Sequence, residues 1–153
     1  MSTTVTGHVK RYVYGPEVNY LGTEAYPHYS FCDITQAGNT LYCSGVTPTR
    51  GVQDGTNYPY NLEVVSAGDF RGQYDWVLGT LGRMLVLAGA QFPRDVVNVT
   101  VMCTDMQALN GSVDIWAKHF GDAWPALTYM QVTALYHPEQ MVEANAIAVI
   151  GDN

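Results

Sequence analysis

Charge is scarce in this chain, and positive charge is scarcest. Only 14% of its 153 residues are charged, and seven Lys and Arg face fourteen Asp and Glu, for a formal charge of −7 and a pI near 4.7. An average domain carries roughly 25% charged residues. Nucleic-acid binding draws on Lys and Arg to neutralise phosphates. Here they are scattered from Lys10 to Lys118 without a cluster, so neither a nucleic acid nor an anionic membrane is an expected partner. Cysteine is sparse too: Cys32, Cys43 and Cys103 are odd in number and form no CxxC pair. That argues against a disulfide framework and points to a reducing cytoplasm. The opening stretch MSTTVTGHVKRYVYG lacks the apolar centre of a signal peptide. No run reaches about 18 uninterrupted apolar residues, so no transmembrane helix is expected. P-loop, GxGxxG-before-helix, HExxH and GxSxG signatures are all missing. His8, His28, His119 and His137 share no ligand spacing, so no metal site is expected.

What is present is apolar. At 47% hydrophobic, the chain can fill the core of one compact domain. With so little charge, it is expected to bury further surface in an oligomer. VKRYVY (9–14) alternates as a first strand does, and GPEVNYLGTEAYPHY reads as an irregular connection. FCDITQ and TLYCSG read as strands joined through Ala37-Gly38-Asn39. TPTRGVQDGTNYPYN is a loop by composition. After Asp69, apolar residues at 70, 74, 77, 78, 81, 84, 85 and 88 keep helical spacing, and Gly89 stands where a glycine stops a helix. Gly72, Gly79 and Gly82 each weaken that helix by about 1 kcal/mol relative to Ala, which points to close packing against a sheet. DVVNVTVMCT (95–104) is rich in β-branched residues. Leu109, Val113, Trp116, Ala117 and Phe120 space a second helix. LTYMQVTALY and VEANAIAVI close the chain as two long strands joined by a turn at 136–140. The order β-β-β-α-β-α-β-β predicts an α+β sandwich with two helices on one mixed sheet. The sheet's second face would then be apolar and uncovered in a monomer.

Two features point to chemistry. Glu143 lies inside the apolar strand VEANAIAVI, where carboxylates are depleted. Asn145, two residues on, shares its face, and the pair could hold a water. The alternative is an edge position facing solvent or a subunit contact. Ser44-Gly45 directly follows TLYC, and the glycine permits close approach of a ligand to the backbone. The alternative there is a plain strand end. Cys43 and Cys103 read as core residues.

LYCSGVTP, LVLAGAQFPRDVVNVTVMCTDMQAL, WPALTYMQVTAL and VEANAIAVI together resemble the reactive-intermediate (imine/enamine) deaminase family, also called the YjgF or L-PSP endoribonuclease family. The resemblance runs from about Phe31 to Ile150. It implies a chorismate-mutase-like α+β domain spanning 1–153, with 1–28 an atypical extension and connection. It further implies a cytoplasmic homotrimer, small-molecule pockets in clefts between subunits, and no metal or organic cofactor. Typical members hydrolyse imines of α-amino acids to a keto acid and ammonia. An arginine after a Pro-Ala turn grips the substrate carboxylate, a glutamate on the last strand positions water, and a tyrosine and a Ser-Gly strand end complete the pocket.

Carried onto this chain, Glu143 matches the glutamate, and Ser44 and Gly45 match the strand end. Phe31 falls on the tyrosine, with Tyr29 able to supply a hydroxyl if the chain bulges. Val113 falls on a pocket asparagine, with Asn110 and Asp114 nearby. Leu127 falls on the arginine, and Tyr129 lies two residues along the same strand face. Leucine offers no donor, and a carboxylate desolvated against it would lose several kcal/mol. A pocket walled by Phe31, Leu127 and Tyr129 would raise the pKa of Glu143 and suit a less anionic substrate. Three functions are consistent with this pattern. One is acid/base-assisted water addition to an imine or enamine. Another is dehydration, cyclisation or tautomerisation by the same acid. The third is a ligand-binding trimer without catalysis. Whether Arg50 or Arg94 of a neighbouring subunit reaches the cleft is left open.

Overall fold

The computed structural model describes residues 1–15, 17–22, 25–51 and 62–151. In chain order the elements are β1 (Ser2–Thr6), β2 (Val9–Val13), α1 (Ala25–Tyr29), β3 (Ile34–Ala37), β4 (Thr40–Val46), β5 (Thr49–Gly51), β6 (Leu62–Val64), α2 (Phe70–Leu87), β7 (Val96–Cys103), α3 (Met106–Asn110), α4 (Val113–Phe120), β8 (Ala126–Gln131) and β9 (Val142–Val149). Among the described residues, seven strands form one sheet in the order β1-β2-β3-β4-β9-β7-β8, and β5 and β6 pair as a separate hairpin. Among the described strands only β7 and β8 run parallel, joined through α3 and α4, and the other pairs are antiparallel. This is the expected mixed-sheet α+β sandwich.

Strand alternation decides which face is buried. In β9, Val142, Ala144, Ala146 and Ala148 are buried, and Val99, Val101 and Cys103 of β7 pair beside them. Onto this face packs α2, whose Tyr74, Val77, Leu78, Leu81, Met84 and Leu85 are fully buried. The helix begins at Asp69, whose side chain accepts from the Gly72 amide, and is followed by Gly89 at φ 102°. Gly82 lets it approach the Phe92 ring, 3.1 Å from where a Cβ would stand. That close packing is against the loop after the helix, not the sheet. Among the described residues the opposite sheet face has no layer over it and leaves Tyr42, Met130 and Val149 exposed.

Several boundaries differ from those the pattern predicts. The helix expected over 109–120 is broken at Gly111-Ser112, where the Ser112 hydroxyl donates to the Ala108 carbonyl. The strand expected through LTYMQVTALY ends at Gln131, because its partner β7 ends at Cys103; the final ladder contact is Val132 N to Cys103 O. Residues 25–29 form a helical turn within the expected connection, and 49–51 form a strand within the expected loop, whose residues 52–61 lie outside the described ones. No helix among the described residues is long and apolar enough to cross a membrane.

Candidate active site

The site is built on an irregularity in β4. Between the pairs Cys43↔Ala146 and Val46↔Ala144, β4 has two residues, Ser44 and Gly45, where β9 has one, Asn145. Ser44 and Gly45 therefore form a β-bulge, a device that re-aims backbone beside sites. Ser44 is held by two bonds: its amide donates to Asp33 O (2.8 Å) and its hydroxyl to Cys32 O (2.7 Å). Gly45 is required by close approach rather than by a left-handed backbone. A Cβ there would stand 2.9 Å from Glu143 Cδ and collide with the carboxylate.

Glu143 lies on the open sheet face with Asn145, on a strand interior to the sheet. Burial pushes its carboxyl above the ordinary 4.5, since desolvation penalises the charged form. On the other side of Gly45, the buried Tyr20 hydroxyl accepts from Thr47 N (3.0 Å) and lies 3.2 Å from Thr47 Oγ1. Burial raises its pKa, and the nearby Asp33 and Glu143 charges add to the effect.

Gly45 also lines a cavity of about 160 Å³. Part of its wall is aromatic: Tyr29 and Tyr136 meet edge-to-face, with centroids 5.4 Å apart and hydroxyls hydrogen-bonded, and Phe31 packs on Tyr26 at 4.9 Å. The turn carrying Tyr136 is fastened from beneath. Gln140 Nε2 donates to Thr49 Oγ1 (2.8 Å), and Gln140 Oε1 accepts from His137 N (3.1 Å). Gln73, fully buried on α2, accepts from Met141 N and donates to Glu139 O, both at 2.8 Å.

The structure thus brings together Glu143, Gly45, Phe31 and Tyr29. Tyr29 reaches the cavity from the helical turn α1 rather than from a bulged strand. Ser44 shapes the bulge, with its hydroxyl engaged by Cys32, and Asn145 lies next to Glu143 along the face. Leu127 and Tyr129 are elsewhere in this chain. They pair with Val99 and Val101 on the helix-covered face of β8, opposite to the face of Glu143. Val113 is exposed at the start of α4, and Asp114 holds Arg71 through two hydrogen bonds of 2.9 and 2.6 Å. Arg50 pairs with the cavity-lining Glu63, and Arg94 lies 3.6 Å from Asp95. Tyr20, Tyr136 and Gln140 were not foreseen; each gains its place through partners or wall neighbours distant in sequence. No group of three His, Cys, Asp or Glu among the described residues is placed to hold a metal ion.

This sheet order and bulged strand beside an interior glutamate define a YjgF-type α+β protein. The sequence profile of the family described as "Endoribonuclease L-PSP" matches residues 22–150, and the chain belongs to that family. A RutC family protein of Pyrococcus horikoshii is 30% identical over 118 residues, covering 77% of this chain and 85% of that one. A solved Thermotoga maritima protein is 25% identical with a TM-score of 0.72, over 93% of this chain and 98% of its own. A Mycobacterium tuberculosis member of the YjgF/YER057c/UK114 family superposes with a TM-score of 0.70 at 22% identity, over 93% of this chain and 99% of its own; that likeness concerns the fold.

Proposed function

We propose that this chain is a small-molecule enzyme that adds water to the C=N carbon of an imine, or of the imine tautomer of an enamine, with Glu143 as the proton-transfer group. The observation that carries this is the Glu143 carboxylate lying against the bulged Gly45, which opens onto the aromatic cavity. As the water oxygen bonds to carbon, Glu143 takes a water proton and passes it to the imine nitrogen, which receives the C=N electron pair, giving a neutral carbinolamine. Glu143 then takes the carbinolamine O–H proton and delivers it to the amine nitrogen as the C–N bond breaks, leaving a carbonyl, ammonia and the carboxylate restored. A carboxylate with a raised pKa is a stronger base than an ordinary one. The family's description includes endoribonuclease. A charge of −7 with only seven cationic side chains weighs against a polyanionic substrate.

We further propose that the working form is a homotrimer whose clefts complete the pocket. Tyr42, Met130 and Val149 are large apolar side chains left exposed on the uncovered sheet face, among polar neighbours such as Thr100 and Asn145. Leu127 and Glu143, on opposite faces of one sheet, can line a common pocket only if a second chain supplies one of them. Leu127 then replaces the family's carboxylate-gripping arginine with an apolar wall, which selects a substrate poorer in negative charge.

Ammonia release from a panel of imines and enamines tests the chemistry. Turnover above background is expected, lowered by roughly a hundredfold or more in Glu143→Gln. Activity is expected to fall as pH drops through a value above 4.5, because the base must be ionised. Turnover that is absent across the panel, or is undiminished in Glu143→Gln, sinks the proposal.

A further inference from the structure

The cavity beyond Gly45 has a size and chemistry of its own. A dry apolar cavity of roughly 150 Å³ accommodates benzene, and this one measures about 160 Å³. Tyr29, Phe31 and Tyr136 supply ring faces and edges, and Leu21 and Leu62 fill between them. The Tyr29 and Tyr136 hydroxyls bond each other, so both rings are set before a ligand arrives. The turn beneath Tyr136 is fixed by Gln140 and Gln73. No Lys or Arg lines the cavity among the described residues, and Arg50 beside it is engaged by Glu63. His137 on the wall accepts from Glu139 N at its Nδ1, Glu63 is paired with Arg50 and Glu143 lies behind Gly45, so among the described residues a ligand carboxylate would meet no unengaged Lys or Arg.

Resting on the hydrolase reading above, we propose that this cavity is a subsite for an uncharged aromatic ring. The substrate class is then an aryl-substituted imine or enamine without a carboxylate. The ring sits among Tyr29, Phe31 and Tyr136, in the offset or edge-on arrangements aromatic pairs prefer. Its C=N carbon is directed at Gly45, where the absence of a side chain exposes the Glu143 carboxylate.

Equilibrium titration calorimetry of the full-length protein at pH 7 with benzamide, benzoate and propionamide tests this. Benzamide is expected to bind the wild-type protein. Benzoate is expected to bind about tenfold or more weakly, since its charge would be desolvated without a partner. Propionamide is expected to lose about tenfold or more with its ring. Phe31→Leu and Tyr136→Leu are each expected to weaken benzamide about threefold to tenfold, while their circular dichroism and melting temperatures show them folded. Benzoate binding as tightly as benzamide, propionamide matching benzamide, or benzamide affinity unmoved by both leucine variants overturns the subsite. Benzamide binding without imine turnover upholds the subsite while the hydrolase reading fails. Turnover of alkyl imines with no benzamide binding overturns the subsite alone.

Discussion

Gly45→Ala isolates the contact on which the site depends. The backbone at 45 is not left-handed, so alanine is conformationally allowed. Its lower unfolded-state entropy would stabilise the fold by about 0.4–1 kcal/mol if nothing else changed. The new methyl, however, would stand 2.9 Å from Glu143 Cδ and 3.3 Å from Cγ, closer than carbon atoms pack. Glu143 must swing off its rotamer in a half-buried place, an overpacking cost of about 1–3 kcal/mol. The net expectation is a loss of roughly 1 kcal/mol in the wild-type background. In Glu143→Ala the obstructing carboxylate is gone, so the same substitution is expected to stabilise by about 0.5 kcal/mol. The double-mutant cycle therefore predicts a coupling of roughly 1.5–2 kcal/mol between the two positions. Urea unfolding followed by tryptophan fluorescence measures all four proteins, at one protein concentration because assembly shifts apparent stability. Equal effects of Gly45→Ala in both backgrounds would refute the contact. Imine turnover in Gly45→Ala is expected to fall about a hundredfold, the scale of a displacement near 1 Å.

Asp33 is fully buried, accepts from Tyr14 N at 2.8 Å, and burial pushes its pKa from 3.8 to about 6. A raised carboxyl pKa means the folded state holds its proton longer than the unfolded chain. Its ionisation therefore costs stability progressively from pH 3.8 to about 6 and fully above. Asp33→Asn is expected to stabilise by up to about 3 kcal/mol at pH 8 and to gain none of this below pH 4; an equal gain at both pH values in urea melts contradicts the assignment. Leu127→Arg, at a position 39% exposed on an edge strand, is expected to leave stability within about 0.5 kcal/mol. It should also strengthen pyruvate binding by roughly tenfold, as for a charge-assisted pair. A folded variant with unchanged pyruvate affinity rules out Leu127 as a pocket wall.

The elements legible in the sequence were those whose neighbours repeat along the chain. The spacing from Phe70 to Leu85 marks α2, and its buried residues follow that spacing. Glu143 was legible because a carboxylate among Val142, Ala144 and Ala146 contradicts its surroundings. The end of β8 was not legible. Apolar residues continue past Gln131, but a strand extends only as far as its partner, and β7 stops at Cys103. The break at Gly111-Ser112 was written in the sequence, yet apolar spacing ran across it. Tyr20 gave no local sign at all, since its hydroxyl finds Thr47, 27 residues away. Leu127 was legible as a departure from the family, but not the sheet face it occupies.

Gln73 gives the cavity a mechanical character. One side chain from the first turn of the main helix grips both Glu139 and Met141, so the turn after Tyr136 and the core helix are tied together. A ligand cannot displace that turn without breaking two partly buried hydrogen bonds. A wall held in this way favours ligands that already fit its shape.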